Sequence, residues 1–246
     1  MKTIIITFLS ISLFMQVLVA QVDESRTFMY LQNDSIVYVK DLRFEDGYFI
    51  NKSDNKKFHS KHEIRFVNAE NGFFANVENV GSRRAPDLAK RTIKADINLF
   101  ESQTIYVDNA YAPGATQGAL FTKKKYYNYF NKGYEHLTRA SYKTLYPIFS
   151  TNSESMVYLN KYRTANIYEH VFNIAQWGAY AGGFYLVFYS FQHNSKNGSN
   201  FSPARSLILP LVVLLPGYGM RMVSNWFGAK KNEHLHESFV IYDGIK

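Results

Sequence analysis

The chain has 246 residues, enough for one medium domain or two small ones, with 17% aromatic residues and a formal charge of +8. It has no cysteine, which excludes disulfides, thiolate metal sites, a cysteine nucleophile and lipidation of an N-terminal cysteine. The positive balance favours anionic neighbours without choosing among lipid headgroups, acidic glycans and nucleic acid.

Residues 1–20 have the features of a secretory signal peptide. Lys2 is a minimal positive region, Ile4–Val19 is an apolar core interrupted only by Thr, Ser and Gln, and Ala20 precedes a suitable cleavage position. An uncleaved signal anchor is the alternative, because the apolar core is just long enough to span a membrane. Both interpretations predict export, and an exported chain without cysteine fits a bacterial cell envelope.

Residues 21–150 are predicted to form an exported β-rich domain. Turn-forming clusters separate short strand-like runs, which are Thr27–Gln32, Ser35–Lys40, Tyr48–Ile50, Glu63–Val67 and Phe73–Val77. Such runs predict a small barrel-like or rolled antiparallel sheet. Residues 78–91 are charged and contain Gly and Pro, as a linker does, and the alternation from Ile93 to Leu99 predicts a further strand that Thr104–Val107 continues.

Lys123, Lys124 and Lys125, followed by Tyr126 and Tyr127, form a basic and aromatic run that predicts an anion-binding surface. Such surfaces can bind single-stranded nucleic acid, but an exported chain favours anionic headgroups or lipopolysaccharide instead. The alternative is a strand whose alternate aromatic residues pack inward.

Helical spacing replaces strand spacing after residue 136. Apolar residues between His136 and Phe149 fall roughly on one face, and Pro147 is expected to end or bend that helix. Thr151 and Glu154 fit a capping box, so a new helix is expected to start near Asn152. Residues 151–170 are then expected to form a helix leading to the membrane.

Two apolar runs predict a transmembrane helical hairpin. Residues 171–191 contain no ionisable side chain except tyrosine and have the length of a membrane span; a buried soluble helix is the alternative. Residues 206–227 form a second span bent by prolines and interrupted by Arg221, for which a re-entrant or interfacial helix is the alternative. Residues 192–205 are the loop between the spans, and residues 228–246 are the C-terminal tail.

A small-residue face accompanies the first apolar run. Gly178, Gly182 and Gly183 lie close together along it, and small residues allow helices to approach closely in lipid. These glycines are therefore predicted helix-packing positions, and they would allow a homo-oligomer.

The histidine clusters predict neither a metal site nor a catalytic site. On a strand, His234 and His236 would share one face, but no third ligand is evident from the spacing, and the same holds for His59 and His62. No phosphate-binding loop, nucleophile elbow or zinc-protease motif occurs in the sequence. No catalytic residue, metal or cofactor is therefore predicted.

Residues 126–246 carry a family resemblance, most clearly in Tyr129–Gly133, Ala140–Leu145 and Asn152–Met156. This part of the chain resembles a group of uncharacterised exported membrane-hairpin proteins from Bacteroidetes-type bacteria. In that group a Gly-rich apolar hairpin follows similarly, and the tail ends near a Tyr-Asn pair, where this chain has Tyr242-Asp243. The resemblance implies no known activity and transfers no functional residue.

Together these patterns predict an α+β protein: a small barrel-like or rolled antiparallel sheet, then helices and a two-helix transmembrane hairpin. The predicted function is a non-enzymatic binding or scaffolding module anchored in the cell envelope, with its main domain in the periplasm and its hairpin in the inner membrane. The expected partners are membrane lipids, an envelope protein or an anionic lipid, and not nucleic acid. The alternative is an oligomeric membrane hairpin that acts as a pore or transport accessory.

Overall fold

A computed structural model describes residues 22–78, 80, 87–109, 120–196 and 203–244, with the side chains of 105–109, 120–124, 190, 191, 193–196 and 203–214 excepted. The predicted signal peptide lies outside the described residues, as do residues 79 and 81–86 of the predicted linker. The chain divides into two compact units, Met1–Glu78 and Asn79–Lys246.

The first unit is built from short antiparallel strands. They are β1 (Phe28–Leu31), β2 (Ile36–Tyr38), β3 (Leu42–Glu45), β4 (Tyr48–Asn51), β5 (Lys57–His59), β6 (Ile64–Ala69) and β7 (Gly72–Asn76). Four of these strands pair in the order β7-β6-β1-β2, and the other three form a separate sheet in the order β3-β4-β5. The prediction of one rolled or barrel-like sheet is therefore wrong, because the described strands divide between two open sheets.

The turn between β3 and β4 forms the hairpin that begins the smaller sheet. Asp46 and Gly47 both have positive φ, 50° and 81°, which a tight type I′ hairpin requires and which an Asp-Gly pair adopts readily. This turn makes Leu42–Glu45 a strand that the sequence pattern did not predict. In the larger sheet Phe28, Phe66 and Phe73 are buried, with the rings of Phe28 and Phe73 6.1 Å apart in an edge-to-face contact.

The second unit begins with four antiparallel strands in the order β11-β10-β9-β8. They are β8 (Leu88–Ile93), β9 (Ile97–Asn109), β10 (Leu120–Lys132) and β11 (Thr138–Arg139). The two long strands pair along their whole length, from Ile97 opposite Lys132 to Asn109 opposite Leu120. The single strand predicted from Ile93 to Leu99 is wrong, because residues 94–96 form the turn between β8 and β9.

Three helices follow: α1 (Tyr142–Phe149), α2 (Ser153–Lys196) and α3 (Pro203–Tyr242). Helix α1 starts later than the pattern from His136 predicts, because the Ser141 hydroxyl accepts from the Thr144 amide while the Thr144 hydroxyl accepts from the Ser141 amide. The first turn of α2 is capped by Asn152, whose side chain accepts from the Ser155 amide at 3.0 Å.

The helices pack on one face of this sheet. Phe130 and Leu99, which pair across β10 and β9, share a buried cluster with Leu145, Leu159 and Phe239. A polar link lies beside this cluster: Asn128 donates to Asn232 at 2.5 Å, and Asn232 donates to Glu101 at 2.8 Å. Burial raises the pKa of Glu101, against the opposing effects of the Asn232 hydrogen bond and the nearby His236. The link fixes α3 against β9 and β10.

The predicted transmembrane hairpin is wrong. Within the described part of the chain, no helix combines the length and apolar character that crossing a membrane requires. In α2 the predicted span 171–191 includes Asn173, Gln176 and three tyrosines, which interrupt its apolar character. The predicted span 206–227 lies within α3, which continues to Tyr242 and contains Arg221; the side chains of 206–214 are outside the described ones.

Candidate functional site

A polar pocket of about 440 Å³ lies in the second unit, between the strands and the middle of the two long helices. Three groups of side chains line it: Lys125, Tyr126 and Arg139 from the strands, Asn166, Glu169, His170 and Asn173 from α2, and Asn225, Gly228, Ala229 and Lys231 from α3. We call it the basic pocket. Its volume is within the range of small-molecule sites.

Among the described residues that line the basic pocket, the one carboxylate is neutralised. The Lys231 ammonium lies 2.5 Å from Glu169 Oε2, and each of these two side chains is only 21% exposed. Gly228 leaves room for this ion pair, because a Cβ at that position would lie 3.3 Å from Glu169 Oε1. Ser224 adds a hydrogen bond from its hydroxyl to the Glu169 carbonyl at 3.2 Å.

The remaining charge of the pocket is positive. Lys125, Arg139 and Lys231 contribute three positive charges and Glu169 one negative charge, which leaves a formal charge of +2 with His170 neutral. Lys125, Arg139 and His170 are exposed, so an anion reaches them without displacing packed side chains. A concave surface with this excess charge attracts anions.

Three carboxamides complete the lining. Asn166 and Asn173 lie seven residues apart on α2, about two helical turns, so both reach the same side of the helix, and Asn225 faces them from α3. Each carboxamide offers both donors and an acceptor. The pocket can therefore satisfy hydroxyl groups as well as an anionic group.

The predicted basic and aromatic run meets this pocket through two of its residues, Lys125 and Tyr126. Successive side chains on a strand point to opposite faces, and the Lys125 ammonium lies 5.2 Å from the ring centroid of Tyr127, which is buried. Lys125 therefore joins the pocket from the strand edge, whereas Tyr126 is on the helix side with Asn128. Lys123 and Lys124 lie in β10, and their side chains are outside the described ones.

The predicted helix-packing glycines do not form one buried face of α2: Gly178 and Gly182 share a side, and Gly183 lies on another. Gly183 is buried, Gly182 is half-buried, and Gly178 is exposed, so that a Cβ added to it would meet no atom within 4 Å. A close approach between the helices occurs at Gly217 of α3, where a Cβ would lie 2.7 Å from Tyr180 Cε1. The sequence pattern did not single out that position for packing.

The histidines do not form a metal site in the described structure. His234 and His236 lie on α3 instead of a strand, and two residues apart on a helix they point in directions about 160° apart. The rings of His59 and His62 are in tilted contact with their centroids 4.6 Å apart, and His62 Nδ1 lies 3.7 Å from Glu78 Oε2. Among the described residues, no group of three or more His, Asp or Glu could hold a metal ion.

Arg139, His170 and the three asparagines are pocket residues that the sequence pattern missed. Arg139 is in a two-residue strand, and the others are single polar residues on long helices, so no local motif marks them. Comparison of the chain with protein-family models, with curated proteins and with solved structures found no match.

Proposed function

We propose that the protein is a non-enzymatic binding module that holds a small anionic polyol in the basic pocket. The observation that supports this proposal is the composition of the described lining, in which three cations from three different elements surround a cavity whose carboxylate, Glu169, is paired with Lys231. A formal charge of +2 is best matched by a phosphate or carboxylate group on the ligand.

The carboxamides narrow the ligand class. A bare anion would use the guanidinium of Arg139 and the ammonium of Lys125, but it has no donor for the carboxamide oxygens of Asn166, Asn173 and Asn225, which would then bind only water. A hydroxyl group both donates and accepts, so it can bind the oxygen and the NH₂ group of a carboxamide. A sugar phosphate or a sugar acid combines both requirements.

A binding role fits the chemistry of the lining better than catalysis. The carboxylate of Glu169 is bound by Lys231, so it is not placed to move protons to or from a ligand. Apart from His170, the other polar lining groups are cations, amides and Tyr126, which bind and orient a polar ligand.

The experiment is calorimetric titration of the full chain with glucose 6-phosphate and with glucuronate, using glucose and inorganic phosphate for comparison at constant ionic strength. We expect both sugar anions to bind, and both reference compounds to bind at least about tenfold more weakly, because each lacks one of the two interaction types. Arg139→Gln and Lys125→Gln should each weaken binding by about tenfold.

Lys132→Gln is the matched control. Lys132 is exposed, lies in the same strand as Lys125 and does not line the pocket, so its replacement removes the same charge elsewhere. Equal loss of binding in the control and in the two pocket variants would contradict the proposal. Failure of both sugar anions to bind at millimolar concentration would also contradict it.

A further inference from the structure

We infer that the exposed apolar face of α2 is a contact surface for a second copy of this chain. Five large side chains on this face, Ile174, Trp177, Phe184, Tyr185 and Phe188, are between 64% and 75% exposed. Ile167 and Val171 extend the same face by about two turns and are also exposed. We call these seven side chains the apolar stripe.

Four residues of the apolar stripe, together with Ala181, have the spacing of a helix-packing seam. Ile174, Trp177, Ala181, Phe184 and Phe188 follow one another at alternating intervals of three and four residues. This is the spacing of the a and d positions of a heptad, which keeps one line of side chains toward a neighbouring helix.

The helix that α2 already contacts does not cover the stripe. The side of α2 that is buried in this region carries Gln176 and Gly183, and Tyr180 of α2 meets Gly217 of α3. By contrast, Gly178 and Ala181 are exposed at the centre of the stripe, with no atom within 4 Å of a Cβ placed on Gly178. Small residues at that point allow another helix to approach closely.

The stripe is large enough for a stable contact. The four aromatic side chains would bury roughly 150–250 Å² each when fully covered and are 64–75% exposed; with the smaller aliphatic side chains the stripe presents on the order of 700 Å². One partner in a standard protein interface contributes about 800 Å². The largest apolar patch of a typical monomer is about 300–600 Å².

The stripe carries no charge that would oppose a second copy as the occupant. Residues 171–191 contain no Lys, Arg, Asp or Glu, although the chain as a whole carries a formal charge of +8. The net charge opposes association of two copies at long range, so a contact between them has to come from a stretch that brings no like charges together, as this one does. A two-fold axis through the stripe brings the same residues of both copies together, which satisfies the self-complementarity of an isologous contact.

The test is the molecular mass of the full chain by light scattering and sedimentation equilibrium in buffer without detergent. We expect a dimer at micromolar concentration. The double variant Phe184→Glu/Phe188→Glu should be a monomer, with at least about hundredfold weaker association, because two unpaired charges per copy would be buried. Its far-UV circular dichroism should match the wild type, since both side chains are exposed.

Val157→Glu is the matched control. Val157 is exposed on the same helix but is rotated by about 100° from Ile174, so its replacement should leave the dimer intact. If the double variant does not fold, Trp177→Lys provides the same test with one substitution. Glucose 6-phosphate binding by the monomeric variant is measured in parallel, so failure of the basic pocket and failure of the stripe are distinguished.

A monomeric wild type would overturn the inference, and so would a dimer that persists in the stripe variants. A monomeric wild type that sediments with phosphatidylcholine–phosphatidylglycerol vesicles, but loses this property in the double variant, would assign the stripe to a lipid surface and would also overturn it. A dimer lost on replacement of the stripe and retained on replacement of Val157 would establish it.

Discussion

The ion pair between Glu169 and Lys231 sets how much positive charge the basic pocket presents. Because Glu169 neutralises one of three cations, Glu169→Gln should raise the formal charge of the lining from +2 to +3. A unit charge a few ångströms from a partly solvated ligand is worth about 1 kcal/mol. Calorimetry should therefore show glucose 6-phosphate binding about three- to tenfold more tightly to the variant.

The control for this substitution is Glu237→Gln, on α3. Glu237 is exposed and does not line the pocket, so the change in overall charge is the same while the pocket is untouched. If Glu169→Gln bound the sugar phosphate no more tightly than Glu237→Gln, the ligand would not be held beside Lys231.

The fold partly buries the carboxylate of Asp243, which disfavours its charged form. Its Oδ2 atom is buried without a hydrogen-bond partner among the described groups. Burial raises the pKa of Asp243 above its usual 3.8, and the nearby charge of Asp96 raises it further, against a hydrogen bond from the Asp96 amide. Asp243→Asn removes the charge and keeps an acceptor for that amide, so it should raise the melting temperature at pH 7.

The raised pKa of Asp243 also determines how the stability difference between the wild type and Asp243→Asn changes with pH. Because the pKa of Asp243 is higher in the folded chain than in the unfolded chain, folding favours the protonated form. The wild type should therefore gain stability relative to Asp243→Asn as the pH falls through the folded pKa toward 3.8, and the advantage of the variant should shrink there. A stability difference between the wild type and Asp243→Asn that stayed constant with pH would contradict this account.

At the residue scale, the sequence located only part of the basic pocket. Lys125 and Tyr126 could be found because they belong to a continuous basic and aromatic run. Arg139 and Asn225 reach the same cavity from distant parts of the chain, and only the packing of the helices on the sheet brings them together. No local sequence pattern predicts that packing.

The contact between α2 and α3 depends on the absence of a side chain at Gly217. A Cβ there would lie 2.7 Å from Tyr180 Cε1 and 3.3 Å from Ala179 Cβ, which is closer than packed atoms tolerate. Gly217→Ala should destabilise the protein by about 1 kcal/mol net, because an overpacking cost of about 1–3 kcal/mol outweighs a helix-propensity gain of about 1 kcal/mol. Urea denaturation measures the difference.

Gly219→Ala is the matched control on the same helix. Nothing lies within 4 Å of a Cβ at Gly219, so only the propensity gain remains, and this variant should be stabilised by about 0.5–1 kcal/mol. In a Tyr180→Ala background, Gly217→Ala should no longer destabilise, since its clash partner is gone. Equal effects of the two glycine substitutions would mean that α2 and α3 do not pack closely at Gly217.

At the element scale, the sequence predicted strands and helices best where their boundaries depend on neighbouring residues. β1 and β2 lie within the predicted runs Thr27–Gln32 and Ser35–Lys40, and α2 begins one residue after the predicted start at Asn152. The start of α1 was misplaced because apolar spacing alone extends back to His136, whereas hydrogen bonding fixes the boundary at Ser141. The prediction of a membrane hairpin was wrong. The length of the helices and their scattered aromatic residues resemble those of a membrane span, but amide and tyrosine side chains lower the apolar character of the described helices.

At the scale of the whole molecule, the formal charge of +8 and the basic pocket are separate sources of anion binding. The overall charge attracts any polyanion at long range, and this attraction is screened because the Debye length falls from about 10 Å at 0.1 M salt to about 3 Å at 1 M. A ligand inside the pocket touches its cations directly, so screening weakens its binding less.

These two sources predict different responses to salt and to mutation. Raising sodium chloride from about 0.05 M to 0.5 M should abolish retention of the protein on a heparin column, equally for the wild type and Arg139→Gln, because the whole surface contributes. Over the same range, glucose 6-phosphate binding should fall by less than about tenfold in the wild type and should remain weaker in Arg139→Gln at every concentration. If binding of the sugar phosphate disappeared at the same salt concentration as heparin retention, the anion affinity of the chain would belong to its net charge and not to the basic pocket.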